Sequence, residues 1–154
     1  MVKNHNKDFL TWCALLGPCG LLPFPGTVGT LASMPLVYLF YMVVMPPLYK
    51  SILFAVLFIF AAYAIKVATD YFEQEDPSCI VIDELLGILV TFVGMPINWS
   101  TLLFGFLLFR TFDIFKWAGI SYVEQVPGVW GVLLDDIVAG LYSCLILHIA
   151  FSVW

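Results

Sequence analysis

The sequence predicts an all-α integral membrane protein, a bundle of about four to six helices with its polar stations gathered at one interface. Two observations predict this. The 154 residues are 62% hydrophobic and only 11% charged, whereas soluble domains are roughly 45–50% apolar and about 25% charged. The apolar residues also fall in runs separated by short polar stations, without a polar linker or low-complexity tract. A single membrane-embedded domain over 1–154 accommodates that length.

The elements follow in order. Residues 9–22 are apolar but too short to span, and read as a re-entrant segment. Lys3 and Lys7 precede it, but Asp8 interrupts the basic region and no small-x-small cleavage site leads to a polar mature chain. The stretch is therefore kept as part of the protein and not read as a signal peptide. "PFPGTVGT" (23–30) reads as a Pro/Gly-rich loop. Segments 31–49 and 51–69 are long enough to cross and form a hairpin with Lys50 at its outer tip. The charged station "DYFEQEDPS" (70–78) follows, beside Lys66. Segments 80–97 and 99–112 are marginal spans and form a second hairpin. A mixed loop, 113–131, leads to a last span over 132–153. With the N-terminus in the cytoplasm, this arrangement brings the 22–30 loop and nearly every acidic residue to one face. Lys50 alone lies against the positive-inside preference.

Net charge is −5, with six Lys and Arg, so no basic patch is available for nucleic acid. The four cysteines are scattered without a CxxC pair, which gives no zinc or disulfide pattern.

Three acidic stations carry the chemistry. "EDPSCIVIDELLG" holds Asp76, Asp83 and Glu84, with Pro77 marking a helix start and Asp76 near its N-cap. "FRTFDIFK" holds Arg110, Asp113 and Lys116 at i, i+3, i+6, neighbours on a helix. "LLDDIVAG" holds Asp135 and Asp136. Carboxylates embedded in aliphatic runs are costly and default to a functional reading. Several of them together repel one another unless a cation joins them. Oxygen-only ligands select a hard ion, with Mg²⁺ expected. Arg110 is the sole arginine, and its planar fork suits phosphate oxygens. The glycines and threonines of "PGTVGT" can bring backbone N–H groups to an anion, although no P-loop ending follows. Asp83 and Asp136 each have a glycine four residues on, Gly87 and Gly140. That spacing lets another helix approach the carboxylate closely, and it favours Asp136 over Asp135 as the one facing a packed neighbour. The only histidines are His5 and His148, one near each end. No Cys-x₅-Arg or DxDx[TV] string is present. The chemistry left is a metal-assisted attack of water on phosphorus. The same charges would also suit a proton- or ion-coupled transporter subunit.

Taken together, "PFPGTVGTLASMPL", "DPSCIVIDELLG", "LFRTFDIFK" and "GVLLDDIVAG" resemble, in order and spacing, the motif blocks of the phosphatidylglycerophosphatase A family. The resemblance covers about residues 17–145. It implies a Mg²⁺-dependent lipid phosphatase of the bacterial inner membrane, with its site facing the cytoplasm. Such an enzyme converts phosphatidylglycerophosphate to phosphatidylglycerol and phosphate in phospholipid biosynthesis. By this resemblance Asp83, Glu84, Asp113, Asp135 and Asp136 are catalytic. Asp76, Asp83, Glu84, Asp135 and Asp136 are the metal set, led by Asp83, Asp135 and Asp136, with Asp76 or Glu84 completing it or acting as base. Arg110, Lys116, Gly26, Thr27 and Gly29 bind substrate, with Asp113 orienting Arg110 or ligating metal. The partners implied are the bilayer and its lipid substrate, with self-association left open. The chain departs from the family at "KWAGI", which lacks the usual prolines. It departs again at "VPGVWGVLLDD", which keeps Gly128 and Gly131 but not the glycine pair. The altered 117–131 loop keeps a catalytically inactive homologue as a further alternative.

Overall fold

The computed structural model describes residues 5–74, 77–117 and 119–152. Among these it contains seven α-helices and no strand: α1 (His5–Ala14), α2 (Pro25–Met42), α3 (Pro47–Phe72), α4 (Ile82–Thr91), α5 (Trp99–Phe115), α6 (Ile120–Glu124) and α7 (Val129–Ser152). A 3₁₀ turn, Cys19–Leu21, joins α1 to α2. The all-α prediction holds. Four to six helices becomes seven because the 9–22 segment and the 113–131 loop each contribute a short helix.

Several boundaries differ from the sequence reading for identifiable reasons. The "PFPGTVGT" loop is mostly helix. Pro25 occupies the first turn of α2, where its missing N–H costs nothing. Thr30 Oγ1 then donates back to the Gly26 carbonyl at 2.8 Å. Pro47 starts α3 in the same way. The fourth segment is helical for only ten residues and begins at Ile82, five residues after Pro77. α5 begins in a reciprocal capping box. Asn98 Oδ1 accepts from the Thr101 N–H, and Thr101 Oγ1 accepts from the Asn98 N–H, both at 3.0 Å. It ends at Lys116, whose left-handed φ of 50° turns the chain away.

Two helices, α3 and the Val129–Phe151 stretch of α7, are long and apolar enough to cross a membrane. Large apolar side chains such as Ile59, Leu103 and Leu145 are exposed along the helix flanks. Exposed aromatics mark both ends: Tyr49 and Trp99 at one, Trp117, Tyr122 and Trp130 at the other, as expected of residues at the two water–lipid boundaries. α4, at about 15 Å, is too short to cross. All ten of its residues are buried, and it packs against α2, α5, α3 and most extensively α7. Thr91 satisfies its hydroxyl on the Gly87 carbonyl at 3.1 Å.

The α4–α7 crossing is made by the two glycines singled out by their spacing. A Cβ on Gly87 would stand 2.6 Å from the Asp136 carbonyl oxygen, and a Cβ on Gly140 would collide with the Gly87 carbonyl. The helices therefore meet backbone to backbone, one turn below Asp83 and Asp136. Gly140→Ala should lower the unfolding midpoint in detergent, at an overpacking cost of about 1–3 kcal/mol. Gly→Ala in an uncrowded helix instead stabilises by about 1 kcal/mol, so a raised midpoint would rule out this crossing.

Candidate active site

α2, α4 and α7 begin at one end of the bundle, and α3 and α5 finish there. Lys66, Asp70 and Glu73 at the end of α3 line a cleft with Gly128 and Val129, where α7 begins. The acidic stations therefore converge as the hairpin reading expects. Asp76 lies outside the described residues.

Asp83 and Glu84 stand in the first turn of α4, where the helix dipole favours negative charge. Asp83 Oδ1 accepts from the Glu84 N–H at 3.1 Å. Asp136 reaches them from α7, and one carboxylate oxygen from each of the three lies within 4.8 Å of the others. All three are buried; Asp136 is 3% exposed. Burial, then the nearby Asp135 charge, pushes Asp83 well above the usual carboxylate range. Burial, then Asp83, does the same to Glu84. Glu84 Oε2 has no hydrogen-bond partner. Two oxygens on one Mg²⁺-sized ion sit about 3–4 Å apart, so this group needs little contraction to hold a hard divalent cation. The orphaned Glu84 oxygen fits that use.

Arg110, in the last turns of α5, closes the other side. Its Nη1 pairs with Asp113 and lies 3.7 Å from Glu84 Oε1. The same fork donates to Thr30 Oγ1 at 3.4 Å and to Thr27 Oγ1 at 3.3 Å. Gly26 permits this approach, because a Cβ there would collide with Glu84 Oε1 and stand 3.1 Å from both Arg110 terminal nitrogens. Gly29 serves packing instead, since its missing Cβ makes room for Val81, the residue before α4.

Asp135 diverges from Asp136, as a rotation of about 100° per residue requires. It pairs with Lys116, which also reaches Glu124 Oε1 at 3.1 Å. Asp135 thus stands outside the three-carboxylate group, whereas the sequence reading put it among the leading metal ligands. Lys116 is likewise not the helical neighbour of Asp113 that its i+3 spacing suggests, because its backbone leaves the helix. Burial works against the Lys116 charge, but Asp135 and then Glu124 hold its pKa above the usual lysine value. Thr30, the last of the Gly/Thr run singled out in the sequence, joins the site through Arg110. Glu124 was missed in sequence: it closes α6, a short helix inside the 113–131 stretch that reads as a loop.

The model of the phosphatidylglycerophosphatase A family matches residues 12–151. A Bacteroides thetaiotaomicron protein, provisionally named a phosphatidylinositol-3-phosphatase, is 35% identical over 85% of this chain and 86% of its own. A phosphatidylglycerophosphatase A of Escherichia coli K12 is 33% identical over 88% and 79%. That of Haemophilus influenzae is 30% identical over 86% and 81%. No solved structure matches the chain.

The Lys116–Asp135 pair makes a stability prediction independent of activity. Lys116→Met strands a buried carboxylate and should cost about 3 kcal/mol. Adding Asp135→Asn should recover part of that loss in a double-mutant cycle read by unfolding in detergent. Additive effects would mean the two side chains do not interact.

Proposed function

Because the chain belongs to the phosphatidylglycerophosphatase A family, we propose that it hydrolyses phosphatidylglycerophosphate to phosphatidylglycerol and phosphate, using Mg²⁺, as a step of phospholipid biosynthesis. The observation that carries this reading is the meeting of Asp83, Glu84 and Asp136 beside the only arginine. Family membership favours a hydrolase over an ion pathway. The site's position at one end of the bundle suits a substrate whose acyl chains stay in the bilayer while its headgroup reaches the carboxylates. We place that end at the cytoplasmic face of the bacterial inner membrane, since Lys66, Arg110 and Lys116 gather there.

Asp83, Glu84 and Asp136 would hold the ion. When bound, it supplies neutralisation of phosphoryl charge and a more acidic water. The Arg110 fork, with the Thr27 and Thr30 hydroxyls, receives phosphoryl oxygens, and Asp113 keeps the guanidinium aimed at them. Gly26 keeps that approach free of side-chain atoms. Lys116 lends positive charge near the leaving oxygen, held there by Asp135 and Glu124. Water attacks phosphorus, the bond between phosphorus and the glycerol ester oxygen breaks with its electron pair kept by that oxygen, and one proton given up by the water ends on the alcohol. The balance of charge asks the residues to stabilise the spread of negative charge over phosphoryl oxygens, as preorganised electrostatics does elsewhere.

The Bacteroides relative's name favours a second substrate, a phosphomonoester on an inositol lipid. Phosphate release from a panel of lipid phosphomonoesters, with Mg²⁺ and with chelator, separates the two. Release should be greatest from phosphatidylglycerophosphate and should stop on chelation. Asp136→Asn should lower kcat by about 10²–10³-fold, and Gly26→Ala should impair it by displacing Glu84 and Arg110. Full activity in Asp136→Asn, or no release from any lipid with Mg²⁺, would sink the proposal.

A further inference from the structure

The opposite end of the bundle holds a cavity of about 680 Å³, within the range of about 300–1,000 Å³ typical of ligand sites. It lies between the α2–α3 hairpin and the chain leaving α4, with Tyr41, Met45, Phe54, Val93 and Met95 among its walls. It is far from the carboxylates. His148 on α7, beside Gly94, is twelve residues beyond Asp136, about 18 Å along the helix.

The cavity is apolar, and its polar atoms are mostly accounted for. The Tyr41 hydroxyl donates to the Leu89 carbonyl at 2.6 Å, which fixes the ring as a wall. Lys50 is the exception. Its Nζ donates to the Tyr41 carbonyl at 3.2 Å and lies 5.6 Å from that ring's centroid. An ammonium has three donors, and no carboxylate among the described residues pairs with this one. Among the described residues, 37–56, 88–105 and 141–152 contain Lys50 and no Asp or Glu. A lone cation at the mouth of an apolar cavity, at the membrane boundary marked by Tyr49 and Trp99, complements one chemistry in particular. That chemistry is an anionic head joined to a hydrocarbon chain.

We propose that this end is a binding site for an anionic phospholipid of the opposite leaflet, with its net-negative headgroup on Lys50 and one acyl chain in the cavity. The site is separate from the catalytic one and does not depend on the identity of the substrate. It would anchor the α2–α3 hairpin against the far end of α4, where no ion pair among the described residues does so.

The test uses full-length protein purified in a neutral detergent and supplied with equal amounts of phosphatidylserine and phosphatidylcholine of matched chains. Native mass spectrometry then reads which lipid stays bound. The wild type should retain phosphatidylserine preferentially. Lys50→Met should reduce that preference about fivefold, the effect of one cation near anionic lipid headgroups, and Lys50→Arg should preserve it. Ser51→Trp, which puts a large ring at a cavity-lining position, should lower retention of both lipids. A lysine that only reaches for water, or a lipid held at the carboxylate end, would leave retention unchanged in Lys50→Met and Ser51→Trp. That result, or a wild type without preference, would overturn the proposal.

Discussion

The candidate site depends on one close approach, the crossing of α4 and α7 at Gly87 and Gly140. Carboxylates separated by about fifty residues in sequence come within one ion's reach because two helix backbones touch without side chains between them. Any Cβ at either glycine meets a carbonyl oxygen, so the spacing of Asp83 and Glu84 from Asp136 is set by main chain. Main chain in a helix is stiffer than a side-chain rotamer. A site whose carboxylates repel one another needs that stiffness, because the relaxed response to repulsion is to separate.

Charge at the site is divided into compartments. Arg110 is claimed by Asp113 and lies near Glu84, and Lys116 is claimed by Asp135 and Glu124. The Asp83–Glu84–Asp136 group is left in deficit of positive charge, and one Glu84 oxygen has no partner. The adjacent aspartates of "LLDD" thus serve different neighbours. Asp136 faces the packed helix, as the glycine four residues later implies, and Asp135 turns to the lysine.

Much of this was legible in the sequence, and for physical reasons. Carboxylates in aliphatic runs stand out because hydrocarbon penalises them, so Asp83, Glu84, Asp135 and Asp136 declared themselves. The convergence of the stations at one end follows from segment lengths near a bilayer's thickness. What was less legible is how proline and glycine are used. "PFPGTVGT" has loop composition, yet Pro25 starts a helix and Gly26 and Gly29 admit neighbours to its face. The ten-residue α4 was hidden inside an eighteen-residue apolar segment, since periodicity cannot show where a fully buried helix stops. The partner of Lys116 was hidden because a left-handed residue breaks the i+3 relation that the spacing suggests. Glu124 became a partner only through a short helix that its sequence did not announce.

That left-handed residue has a mechanical consequence. Lys116 is where the chain leaves α5 and enters the segment that holds α6. Its ammonium is tethered at one side to Asp135 and at the other to Glu124, within that segment. Gly131 in turn seats α7 on the Glu124 and Val126 carbonyls. Sequence drift between 117 and 131 is therefore transmitted to the cation's position without touching any carboxylate. An insertion or substitution in that short stretch would thus relocate a positive charge at the carboxylate end of the bundle through main chain alone.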